Sequence, residues 1–65
     1  MKQILKTTDR KAVESFKSQL YYMSACNTGN QRACVTHYFV KGADGNEEVA
    51  QISYNFSTKI YIIRM

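Results

Sequence analysis

The sequence predicts a single small α+β domain, in which one helix packs on one face of a mostly antiparallel four-stranded sheet in the order β-α-β-β-β. Two observations predict this fold. One early stretch repeats its apolar residues at helical spacing, and three later stretches are rich in β-branched and aromatic residues and are bounded by Gly, Asn, Ser and Thr. A chain of 65 residues with 45% hydrophobic residues holds one globular domain, residues 1–65.

The first two predicted elements are a short strand and a helix. Residues 2–7 predict the strand, and Thr7, Thr8 and Asp9 then offer oxygens for the cap of a helix expected over residues 10–26. Gly29 stands where a helix-stop residue is expected. The residues of the apolar stripe, which we expect to face the sheet, are Val13, Phe16, Leu20 and Met23.

The remaining strands are predicted over residues 32–41, 48–56 and 59–64. Asp44-Gly45 is a typical two-residue hairpin loop. If these two residues form the loop, alternation sorts the side chains of the hairpin into two faces. The face expected to meet the helix consists of Ala33, Val35, His37, Phe39, Ala50, Ile52, Tyr54 and Phe56.

The opposite face of the predicted sheet has no second helix to cover it. In the same register this face carries Tyr38, Val40 and Val49, and a small domain rarely leaves such an apolar patch bare. We therefore expect these three residues to lie in an interface, either in a homodimer or with another protein.

Charge and tyrosine content add further candidates for partner binding. The net charge is +4, which suits a polyanion or an acidic protein surface. There are five tyrosines and no Trp, and two of the tyrosines fall outside the helix stripe. The candidate partner-binding residues are Lys17, Tyr21, Tyr22, Arg32, Tyr38, Val40, Lys41 and Val49.

Residues able to carry chemistry are few. Two cysteines and one histidine do not make a four-ligand zinc site, so we expect no metal and no cofactor. Cys26 and Cys34 are expected as free thiols, with a disulfide between them as the alternative. No sequence motif for nucleophilic catalysis or phosphate binding is present, and we expect no enzyme. A minimal ribonuclease is the remaining enzymatic alternative, and its residues would be Arg32, His37, Tyr38 and Lys41.

These observations favour a small non-enzymatic protein that docks on a protein partner or on a second copy of itself. Its size suits an inhibitor or regulator of phage or mobile-element type. The alternative is a basic nucleic-acid-binding module that uses a tyrosine-bearing sheet face. No apolar run is long enough to cross a membrane or to form a secretory signal, so we expect a cytoplasmic location.

Overall fold

Five antiparallel strands form one sheet, and one helix packs on one of its faces. The computed structural model describes residues 1–65. The elements are β1 (Gln3–Thr7), α1 (Arg10–Gln19), β2 (Ser24–Gly29), β3 (Ala33–Gly42), β4 (Gly45–Asn55) and β5 (Tyr61–Arg64). The strands lie in the order β1-β5-β4-β3-β2. The α+β class is confirmed, and the sheet has five strands where four are predicted.

The helix begins where the sequence predicts and ends earlier. The Asp9 carboxylate accepts a hydrogen bond of 2.9 Å from the Lys11 backbone N–H, which caps the first turn. At Leu20 the backbone is already extended. The residues that follow, predicted as helix to residue 26, instead form β2, because Ser, Asn, Thr, Cys and Gly favour helices weakly and here complete a ladder with β3. Met23, predicted in the helix stripe, is 62% exposed.

A tight turn joins β2 to β3. The Asn30 backbone N–H donates to the Ala33 carbonyl at 2.9 Å, and the Asn30 side-chain oxygen accepts from the backbone N–H groups of Arg32 and Ala33. Gly29 ends β2 so close to β3 that a Cβ there would lie 2.6 Å from the Ala33 carbonyl oxygen. Gly29 therefore serves a strand pair and does not end the helix.

The β3–β4 hairpin differs from its predicted register. The loop is Ala43-Asp44, with Gly42 paired to Gly45. Between the pairs Tyr38↔Ala50 and Phe39↔Glu48, β4 contains one extra residue, a β-bulge. Ala50 faces the helix, as predicted. Because of the bulge its partner on that face is Tyr38, whereas the predicted register pairs Ala50 with Phe39.

The core lies between α1 and the middle of the sheet. Its buried side chains are Val13, Tyr38, Ala50, Ile52 and Ile63. The partly buried side chains that pack against them are Leu5, Phe16, Leu20, Val49 and Tyr61. The helix stripe is thus confirmed for Val13, Phe16 and Leu20. Phe56, predicted in the core, is 40% exposed.

The other side of the sheet, which we call the open face, carries no helix. Strand pairing places His37 with Gln51 and Phe39 with Glu48 on this side, so the prediction that His37 and Phe39 face the helix is wrong. α1 is the single helix, and its ten residues are too few to span the ~30 Å apolar core of a bilayer.

Candidate binding surfaces

The predicted patch of Tyr38, Val40 and Val49 does not lie on the uncovered face. Tyr38 is 4% exposed and meets the ring of Tyr22 edge-on, with 4.8 Å between ring centres. Val40 follows the same alternation along β3 as Tyr38. Val49 packs against the core, because the bulge turns this extra residue toward the helix side. The placement of these three side chains was therefore predicted wrongly.

Burial has a measurable consequence for Tyr38. Removal from water raises the pKa of its phenol, and the neighbouring Tyr22 and Glu14 raise it further. The hydroxyl therefore stays protonated in the native protein at neutral pH. Tyr38 acts as a core side chain with a polar end, and no partner can reach most of its ring.

The other predicted binding residues fall into separate regions. Lys17 lies in the last turn of α1, and Tyr21 follows the helix and is 74% exposed. Arg32 lies in the β2–β3 turn, whereas Lys41 lies at the opposite end of β3. Arg32 and Lys41 therefore do not border one surface, and the four residues of the ribonuclease alternative are not brought together.

A line of polar contacts crosses the open face. Thr28 Oγ1 and His37 Nε2 lie 2.9 Å apart, and His37 Nδ1 lies 2.6 Å from Glu48 Oε1. Gln51 donates to the other carboxylate oxygen of Glu48 at 2.8 Å. The sequence reasoning missed this line because the predicted register places His37 among apolar neighbours.

The line of contacts joins three strands by side chains alone. The hydrogen bond from Gln51 lowers the pKa of Glu48, and His37 lowers it further, against an opposing effect of burial. The Thr28 hydroxyl, the His37 imidazole and the Glu48 carboxylate follow one another in the same order as the three groups of a catalytic triad. Here Thr28 is on the exposed edge strand, and the contacts tie that strand to β3 and β4.

The cysteines lie on opposite sides of the sheet. Cys26 pairs with His37 on the open face, whereas Cys34 pairs with Gly29 and Tyr54 and points to the helix side. Both thiols are free. The disulfide alternative fails because side chains on opposite faces cannot reach each other.

β2 forms one outer edge of the sheet and is the most exposed strand of the molecule. All six of its residues are exposed, and none is charged. The Asn30 N–H bond to the Ala33 carbonyl closes the β2–β3 hairpin. In an antiparallel ladder such bonds occur at every second residue, so the backbone groups of Ala25, Asn27 and Gly29 point away from β3. This strand offers an outward row of donors and acceptors.

Three aromatic rings cluster on the helix side of the sheet, and we call them the aromatic corner: Tyr54, Phe56 and Tyr61. The rings of Tyr54 and Tyr61 have centres 4.4 Å apart and are tilted by 36°. Phe56 meets Tyr54 edge-on at 5.6 Å.

Comparison of the chain with protein-family models, with curated proteins and with solved structures finds no match.

Proposed function

We propose that the chain is a small non-enzymatic binding protein that holds another polypeptide strand along β2. The observation that carries this proposal is the uncovered, uncharged edge of that strand. Proteins usually protect such an edge with charge, Pro or a covering element. At β2 the sequence supplies none of these, which favours an edge that is used.

The partner of such an edge is a polypeptide backbone. Outward N–H and C=O groups alternate along β2 at the repeat of an extended chain, and another strand completes that ladder residue by residue. Affinity then comes from main-chain hydrogen bonds, and the side chains of alternate residues add specificity.

The strand that fits best is β2 of a second copy. Two copies related by a two-fold axis through Asn27 would pair Ala25 of one with Gly29 of the other, so that the outward groups of both strands are satisfied together. Such an isologous contact uses the same strand of both copies, so it produces a closed dimer and no larger assembly. Each copy has a net charge of +4, and the uncharged β2 keeps like charges away from the contact.

Sedimentation equilibrium over a range of protein concentrations tests the proposal. We expect the wild type to form dimers and Ala25→Pro to remain monomeric, because proline removes an outward N–H and leaves the bonds to β3 in place. Ala43→Pro is the matched control. It makes the same change in the β3–β4 loop, where Ala43 has a negative φ that proline accepts.

Dimers of Ala43→Pro together with monomers of Ala25→Pro would support the edge contact, provided that circular dichroism shows both variants folded. A wild type that is monomeric at every concentration would contradict it, and so would a dimer that Ala25→Pro leaves intact. The role as an inhibitor or regulator of phage or mobile-element type stays a prediction.

A further inference from the structure

The two ends of the sheet differ in charge. β1, β2 and β4 end, and β3 and β5 begin, at one end, which we call the basic end. The charged residues that follow or precede these termini are Asp9, Arg10, Lys11, Arg32 and Lys59. Four cations against one carboxylate give this end a local charge of +3. At the opposite end four basic side chains and three acidic ones leave a local charge of +1, and these residues are Lys2, Lys17, Lys41, Arg64, Asp44, Glu47 and Glu48.

The aromatic corner lies at this basic end. Tyr61 begins β5, and Tyr54 pairs with it directly across the strands near the end of β4. The Phe56 backbone N–H donates to the Arg32 carbonyl at 3.0 Å, which joins the backbone of an aromatic residue to that of a basic residue. Lys59 lies in the same turn as Phe56, and its backbone N–H donates to the Asn55 carbonyl at 2.8 Å.

The path of the helix leaves this corner uncovered. α1 starts just after β1 and leads to β2 at the other edge of the sheet, so it crosses the sheet diagonally and away from the end of β4. The core covers part of Tyr61, whereas Phe56 keeps 40% of its surface exposed. Phe56 is thus a large apolar residue left exposed next to two basic residues along the backbone, Arg32 and Lys59, and core packing does not explain this exposure.

We propose that the aromatic corner and the basic end form a binding site for single-stranded nucleic acid. Bases stack on the exposed aromatic surface, and Arg32 and Lys59 neutralise the phosphates that connect them. The strand must be single because a duplex keeps its base faces inside its own stack. A protein partner is the weaker fit here, since the site combines aromatic faces with a local charge of +3.

Binding of a fluorescently labelled oligothymidylate, measured by anisotropy at about 50 mM salt, tests this site. We expect Phe56→Ala to weaken binding about tenfold, which is the usual effect of losing one stacking partner. Tyr21→Ala is the matched control, because it removes an aromatic ring that is even more exposed but follows the far end of α1. It should leave affinity within about twofold of the wild type.

A second pair of variants separates a site from general attraction between charges. Lys59→Gln should weaken binding several-fold and flatten its dependence on salt, whereas Lys41→Gln, at the opposite end, should change little. No binding of the oligonucleotide at low salt would overturn the proposal. Equal losses for Lys59→Gln and Lys41→Gln, with Phe56→Ala unchanged, would also overturn it.

This site is independent of the proposed contact at β2. Ala25→Pro leaves the three rings of the aromatic corner untouched and should bind the oligonucleotide with nearly wild-type affinity at concentrations where it is a monomer. A failure of dimer formation therefore does not remove the nucleic-acid site, and a failure of nucleic-acid binding does not remove the dimer.

Discussion

The two edge strands of the sheet are built in different ways. On β1, Leu5 pairs with the fully buried Ile63 and packs against the core, and Lys2 and Lys6 place positive charge along the edge. On β2 every residue is exposed and no residue is charged. One edge is thus held by apolar packing and protected by charge, whereas the other has neither.

This difference separates what keeps the domain folded from what it offers to a partner. Apolar burial between α1 and the strands β3, β4 and β5, to which Leu5 of β1 adds, supplies the main driving force for folding. β2 adds backbone hydrogen bonds to β3 and the contact between Thr28 and His37, each of which contributes little on its own. A strand attached in this way can gain stability from a partner without being essential to the fold.

The largest effect should come from the core beneath α1. Ile63→Ala removes a fully buried side chain and should lower the free energy of unfolding by about 2–5 kcal/mol. This is enough to unfold a large fraction of so small a domain. Urea denaturation followed by circular dichroism measures this cost. Ile62→Ala is the matched control, because Ile62 is only partly buried and pairs with Ser53 on the open face. Equal losses for the two variants would show that the faces of β5 are assigned wrongly.

An intermediate effect is expected at the end of β2. In Gly29→Ala the added methyl group would lie 2.6 Å from the Ala33 carbonyl oxygen and 2.8 Å from the Cys34 Cα, so the β2–β3 turn must shift. We expect the free energy of unfolding to fall by about 1–3 kcal/mol. This loss should appear mainly as faster amide exchange in β2. If amides of β5 were affected as strongly as those of β2, the two edges would not be energetically separate.

The smallest effect concerns pH and the polar line on the open face. The pKa of Glu48 is below its ordinary value of 4.5, so the unfolded chain takes up a proton at this group before the native protein does. Ionised Glu48 therefore stabilises the fold above pH 4.5, and this stabilisation is lost as the pH falls through the lowered native pKa.

Thermal unfolding of Glu48→Gln and of the wild type, from neutral pH into acid, measures how much ionised Glu48 stabilises the fold. The variant should be less stable than the wild type near neutral pH, and the difference should vanish in acid. Glu47→Gln is the control, because Glu47 is exposed and pairs with Val40 away from His37. A deficit of Glu48→Gln that is independent of pH would contradict the assignment of the effect to this carboxylate.

Local signals predicted the parts of the fold that local physics determines. The stripe of Val13, Phe16 and Leu20 was enough to predict which face α1 buries, and the run of cap-forming residues 7–9 was enough to predict where the helix begins. β2 was missed because it contributes no side chain to the buried core, so its residues show no apolar alternation. Its strand conformation depends on pairing with β3, a contact that propensities alone do not contain.

The bulge explains the other errors. One extra residue at Val49 reverses the alternation between β3 and β4, and both faces of β3 carry apolar side chains, so the pattern fits either register. Tyr38 was therefore predicted at an interface although it is buried. The polar line through His37 and Glu48 was missed for the same reason, because it is visible only in the true register.

The central claim, that the edge of β2 is the surface that holds a polypeptide strand, is tested most directly by residue-resolved hydrogen exchange at several protein concentrations. The amides of Ala25, Asn27 and Gly29 point outward and should become protected as the concentration rises. The amides of Cys26 and Thr28, which face β3, should be protected at every concentration. Outward amides that exchange freely at concentrations where sedimentation shows a dimer would contradict the claim.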